Sequence, residues 1–351
     1  MVGLRGVGKT VLLHEFARDA EGSGLQTMQI EAPENRSLPA MLAPELRKAL
    51  IHLSGLEKAR ALANRALRGL AGFVGALKVK YNDIQVSLDL KPEKGLADAG
   101  DLDHDLQALL AAAGEAAKAA GTALVLFIDE LQYVPEPQLA ALITALHRVS
   151  QRQLPVVLVG AGLPQLRGRT GNAKSYAERL FDFPNVGSLP ASDARIALTK
   201  PAQAEGVAFE EVALERIIKE TSGYPYFLQE WGKQVWDAAS SSLITLADVD
   251  RASRSALASL DEGFFRVRFD RLTPSEKRYL RAMAELGEGP HRSGDIAEIL
   301  DRKVTSLGPV RSKLIEKGMV WSPSHGDTAF TVPLFDKFMH RIMPGDEWRN
   351  A

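Results

Sequence analysis

The residues best suited to chemistry stand at the front of the chain. Gly3-Leu4-Arg5-Gly6-Val7-Gly8-Lys9-Thr10 places two glycines, a lysine and a hydroxyl residue at the spacing of a phosphate-binding loop. Gly3, Gly6 and Gly8 let the backbone curl so that its N–H groups face phosphate oxygens, and a helix starting at Lys9 adds the positive end of its dipole. Lys9 is suited to the β- and γ-phosphates and Thr10 to Mg²⁺, with Arg5, Val7 and Val11 completing the candidate nucleotide-binding set. A second motif, Leu124-Val125-Leu126-Phe127-Ile128-Asp129-Glu130, is an apolar strand ending in two acids. Such a strand delivers the acids to the carboxyl edge of a parallel sheet, where ligands of α/β folds bind. There Asp129 would hold Mg²⁺ through water and Glu130 would polarise an attacking water.

Other chemistries find no support. The seven histidines (His14, His52, His104, His147, His291, His325, His340) show no metal-binding spacing, and no Gly-x-Ser-x-Gly elbow occurs. Zero cysteines exclude disulfides, thiolate catalysis and Cys-ligated zinc. With 43 basic and 44 acidic residues in 351, net charge −1, 45% hydrophobic and 25% charged, the composition is that of a globular chain with no global affinity for nucleic acid. The longest apolar stretches are interrupted by Arg68, Glu115 and Lys118, far short of the ~20 residues of a membrane span. The expected location is cytoplasmic, without membrane contact.

The elements that must position these motifs alternate as in a three-layer α/β domain. The pattern predicts helices over 9–18, 39–53 and 138–149, strands over 25–30, 124–128 and 156–160, and a strand near Val186. An inserted stretch over 55–100 is expected to hold a hairpin, with arms 77–81 and 84–90 about a turn at Asn82-Asp83. From 191 to 237 the pattern is helical only, and a further helix is expected over 247–269. Thr273-Pro274-Ser275-Glu276 is a capping box with proline at the first helical position. Helices over 293–300 and 306–317 follow, then two short strands about His325-Gly326-Asp327, the pattern of a winged helix-turn-helix. The expected division is a core over 1–190, a helical lid and linker helix over 191–269, and a winged helix over 270–345.

Together these motifs resemble the AAA+/STAND group of P-loop ATPases, in particular ATPases similar to archaeal origin-recognition initiators, over nearly the whole chain. The resemblance implies an ATP- and Mg²⁺-dependent switch with a parallel-sheet core, a helical lid and a DNA-binding winged helix. It implies a polar sensor at the end of the 156–160 strand, where this chain reads Val159-Gly160-Ala161-Gly162 with only Gln165 nearby as a substitute. It assigns the arginine finger of an oligomer to Arg179, with Arg167 and Arg169 as rivals. In place of a lid sensor arginine stands Gly223-Tyr224-Pro225-Tyr226, similar to the Gly-x-Pro turn of STAND ATPases. Family members carry a buried strand before the loop, whereas only Met1 and Val2 precede Gly3 here. The 351-residue form is therefore expected to bind nucleotide weakly and a form extended upstream more tightly.

On the helix over 306–317 and at its ends, Lys303, Ser312, Lys313 and Lys317 are the candidate contacts to double-stranded DNA. Residues 270–351 hold 13 basic and 12 acidic residues, net +1, a thin footprint for a DNA reader. The alternative reading is a non-catalytic ATP/ADP regulator whose winged helix docks a protein.

Overall fold

The computed structural model describes residues 1–86 and 90–349. The chain forms two compact units, one of residues 1–3 and 9–185, the other of residues 4–8 and 186–351, so the loop Gly3–Thr10 has its ends in the first and its middle in the second.

Unit 1 runs α1 (Lys9–Gly22), β1 (Gln26–Glu31), α2 (Leu38–Ser54), α3 (Arg60–Leu77), α4 (Leu102–Ala120), β2 (Leu124–Asp129), α5 (Glu136–Gln151), β3 (Val156–Gly160), α6 (Leu166–Ala173) and α7 (Ala177–Leu180). The three strands pair in parallel in the order β1-β2-β3, with Ile128 opposite both Ile30 and Gly160. β2 is buried along its whole length because both faces are covered, which is why it reads as an unbroken apolar run. Leu124, Leu126 and Ile128 join the large core with α2 to α5, while Val125 and Phe127 pack with Leu13 and Ala17 of α1. Val2 forms single-residue parallel bridges to Gly162 and Asn185, and the Met1 amine donates to the Gly160 carbonyl at 2.7 Å. That bridge at Asn185 is all that is observed of the strand expected near Val186.

The inserted stretch corrects another expectation. Residues 60–77 form α3, whose buried face of Ala63, Ala66, Leu70 and Phe73 joins the core of α2 and α4. Leu77 is the last residue of a helix rather than the first of a hairpin arm. No strand occurs over 77–86, and residues 87–89 of the second arm lie outside the described residues. Asp83 instead accepts from the Ser37 N–H at 2.7 Å and its hydroxyl at 2.8 Å, at the N-cap of α2.

Unit 2 continues through α8 (Ala191–Ala204), β4 (Ala208–Phe209), α9 (Glu211–Thr221), α10 (Pro225–Ala238), β5 (Leu243–Ile244) and α11 (Leu246–Ser259). β4 and β5 pair in parallel, so the stretch expected to be purely helical contributes a two-residue strand. The helix expected over 247–269 changes winding on its way, with a π-helical segment Leu260–Arg266 before α12 (Val267–Phe269). Then come α13 (Pro274–Glu285), β6 (His291–Arg292), α14 (Ser293–Ile299), α15 (Val304–Glu316), β7 (Val320–Trp321), β8 (Asp327–Phe330) and α16 (Phe335–Ile342). The last three strands form an antiparallel sheet in the order β6-β8-β7. The capping box closes as expected, with Thr273 N–H donating to Glu276 at 2.7 Å. Phe227, Phe264, Phe265, Phe335 and Phe338 interlock edge-on and stacked at the heart of unit 2. Among the described residues, no helix is long and apolar enough to cross a membrane.

Candidate nucleotide site

The loop adopts a backbone that its glycines make affordable. Gly6 and Gly8 lie at φ +82° and +89°, a region that penalises any Cβ. α1 starts at Lys9 with no acidic residue in its first turn, leaving the positive dipole end unneutralised. Lys9 is buried at 7% exposure, and its ammonium donates to the Gly3 carbonyl at 3.0 Å. Thr10 donates its hydroxyl to Asp129 Oδ2 at 2.5 Å, joining the two sequence motifs. The other Asp129 oxygen accepts the Glu130 N–H at 2.8 Å. Hydroxyl and carboxylate oxygens on a sheet edge are the hard donor set that Mg²⁺ takes, so the residues fit that ion. Thr10, Asp129, Glu130, His14, Gln29 and Glu31 border a cleft of about 250 Å³ in unit 1.

Glu130 sits at φ +53°, a left-handed backbone uncommon for a residue with a side chain, at the sharp exit of β2. Its carboxylate accepts from the Gln132 amide. Gln132 is buried at 4% exposure, and its carbonyl oxygen accepts the Leu163 N–H at 3.0 Å. This residue was missed by sequence reasoning, although a glutamine two places after the acid pair was the available signal. The missing polar residue at the end of β3 then has a steric reason. A Cβ at Gly162 would stand 2.8 Å from Gln132 Oε1, and one at Gly160 2.3 Å from Leu131 Cδ1. Side chains from the β2 exit fill the space where the sensor was expected. Gln165, the substitute considered, has its Oε1 buried without a hydrogen-bond partner.

The three arginines separate. Arg169 donates to the Gln132 and Val134 carbonyls, which holds the turn after Glu130. Arg179, on the four-residue α7, and Arg167 are exposed. In unit 2, the Gly6 carbonyl accepts the Tyr226 N–H at 3.2 Å, and Val7 joins the apolar core. The Arg5 guanidinium donates to the Gly318 carbonyl at 3.4 Å, and Val11 is exposed. Of the α15 candidates, Lys303, Ser312 and Lys313 are exposed, whereas Lys317 pairs with the buried Glu276 at 2.7 Å and donates to the Arg271 carbonyl. Arg311, on the flank of the same helix, is drawn to Thr328, Ser322 and the Asp327 carbonyl at 2.7 to 2.8 Å.

A parallel sheet with a phosphate-type loop, and an acid pair at its carboxyl edge, defines the class: this is the P-loop AAA+ ATPase fold. Residues 1–159 match the AAA ATPase domain family, and residues 262–339 match a domain of unknown function, DUF8462. Among solved structures, the chain is similar to the Walker-type ATPase PABY2304 of Pyrococcus abyssi at 16% identity, covering 97% of this chain and 89% of that one, with a TM-score of 0.61. Weaker likenesses are to Cdc6p of Pyrobaculum aerophilum (15% identity, 97% and 86% coverage, TM-score 0.46) and the Aeropyrum pernix Orc1 protein in complex with DNA (14%, 97% and 85%, 0.45). No curated protein matches.

Proposed function

We propose that the chain binds and hydrolyses ATP and uses the cycle as a conformational switch. The observation that carries this reading is the Thr10–Asp129 hydrogen bond, which brings the loop motif and the acid pair into one place. Lys9 and the loop N–H groups hold the phosphates, with Thr10 and Asp129 on the side of the metal. Mg²⁺, when bound, neutralises charge on the phosphate oxygens. Glu130 orients a water and accepts its proton, and the Gln132 amide fixes the direction of that carboxylate. The left-handed backbone of Glu130 supports the same assignment, since such strain clusters at functional positions. Exposed Arg179 is the candidate to complete a neighbour's site in a homo-oligomer.

The three helices and antiparallel sheet of residues 270–345 support the winged-helix reading, with α15 as the groove-entering helix for double-stranded DNA. The specific observation favouring protein docking instead is that Lys317 and Arg311 serve their own fold, leaving Lys303, Ser312 and Lys313 as the outward contacts.

The test is a calorimetric Mg-ATP titration beside Lys9→Ala, with turnover measured in Glu130→Gln. Binding lost in Lys9→Ala and turnover lost at retained binding in Glu130→Gln are the expected results; unchanged hydrolysis in Glu130→Gln removes that residue from the mechanism. A salt-sensitive mobility shift of random duplex DNA separates DNA binding from protein docking.

A further inference from the structure

In unit 2, α8 and α10 enclose a groove of about 610 Å³, more than twice the volume of the cleft at Thr10 and Asp129 and within the range of small-molecule sites. Its apolar wall is built by buried Leu198 and Leu228, half-buried Phe209, and Trp236, whose side chain is left 44% exposed. An indole standing in water beside an apolar cleft marks a surface that gains by being covered. Both helices also give up stability along this wall. Pro201, inside α8, has no N–H for the Ala197 carbonyl one turn back, and Gly232, inside α10, is the poorest helix former after proline. A Cβ at Gly232 would come 3.3 Å from Leu198 Cδ2, so a longer side chain at this position would occupy the groove itself.

The polar groups at the rim give the groove a direction. Gln229 and Lys233 stand one turn apart on α10, both exposed and both bordering the groove. Among the described residues, no carboxylate pairs with Lys233 and no group hydrogen-bonds the Gln229 side chain. Glu205, the C-cap of α8 on the other wall, is likewise exposed and makes no ion pair among the described residues. One wall therefore offers donors to a single anionic head, and the other offers a negative charge that repels a second one.

We propose that this groove binds a small apolar molecule with one anionic head, a medium-chain acyl or aryl carboxylate. Its head is held by Lys233 and Gln229, and its body lies against Trp236, Phe209 and Leu198. Glu205 makes the site selective for monoacids over diacids of the same length. The site lies wholly in unit 2 and does not depend on the nucleotide reading of the loop.

The test is calorimetric titration of the full chain with decanoate, decanedioate and decylamine, in wild type and in Trp236→Ala, Lys233→Ala, Glu205→Gln and Gly232→Leu, with melting temperatures measured without ligand. Decanoate is expected to bind with a dissociation constant on the order of 0.1 mM, and decylamine and decanedioate about fivefold or more weakly. Trp236→Ala is expected to weaken decanoate about tenfold, and Lys233→Ala about three- to fivefold. Glu205→Gln is expected to bring decanedioate within about twofold of decanoate. Gly232→Leu is expected to abolish binding with its melting temperature level or raised, because leucine forms helix better than glycine while filling the groove. A purely structural role of Trp236 and Gly232 predicts altered melting temperatures with unchanged decanoate affinity, and overturns the proposal. So does wild type that fails to bind decanoate at about 1 mM, well above the expected constant. Decylamine bound as tightly as decanoate overturns the assignment of the head to Lys233, and an unchanged monoacid preference in Glu205→Gln overturns the role of Glu205.

Discussion

The exit of β2 and the surface of α15 both concentrate polar side chains, and they use them in opposite ways. At the β2 exit each polar group is paired with another that can do chemistry: Thr10 with Asp129, Gln132 with Glu130. On and beside α15 two of the basic groups are spent on the fold itself, Lys317 on the capping-box glutamate of α13 and Arg311 on Ser322 and the Asp327 carbonyl, while Lys303 and Lys313 stay exposed. The lesson is that charge counted along a helix overstates what is available to a partner. A basic side chain pinned by a buried carboxylate or by backbone carbonyls is a structural part.

Substitutions at the two places should therefore separate activity from stability. Glu130→Gln should lower turnover at least about 10²-fold with binding and melting temperature retained, read by phosphate release beside calorimetry. Gln132→Ala should come next, about tenfold slower in turnover at little changed affinity, because it frees the Glu130 carboxylate rather than removing it. Equal losses of affinity and turnover there would show that Gln132 holds the whole β3 exit. On the other side, Arg311→Ala should destabilise unit 2 by about 1–3 kcal/mol, read by denaturant unfolding, with ATP turnover untouched.

The smallest effect concerns acid. Burial alone would raise Glu276, but the Lys317 ammonium and the Thr273 backbone and hydroxyl outweigh it and hold the carboxyl below its usual range. A depressed folded-state value means the stabilisation is present above the unfolded value, about 4.3, and is lost as pH falls through the folded one. The melting temperature of Glu276→Gln should therefore fall less steeply than wild type between about pH 5 and 3. An identical slope would locate the acid sensitivity elsewhere.

Much of the candidate site was legible because its parts are local. The glycine spacing of Gly3–Gly8 encodes a backbone shape, and the run Leu124–Ile128 before Asp129 encodes a strand covered on both faces. The capping box at Thr273 was readable for the same reason, as all its partners lie within four residues. The region 55–100 was misread because Leu77 to Tyr81, next to an Asn-Asp pair, satisfies the short-range pattern of a hairpin arm. What decides it is the burial of Ala66, Leu70 and Phe73 against α2 and α4, which no short window contains.

By itself the sequence determined the glycine-rich loop, the acid pair, the buried strand that carries it and the capping box at Thr273, since each depends on backbone propensity and periodicity within a few residues. Only the tertiary structure decided that Gln132 stands where a sensor was sought, that Lys317 and Arg311 are turned inward, and that Tyr224 and Tyr226 pack against Gly6. Those are contacts across 11 to 220 residues of chain, and their partners are chosen by which surfaces the packed cores bring together.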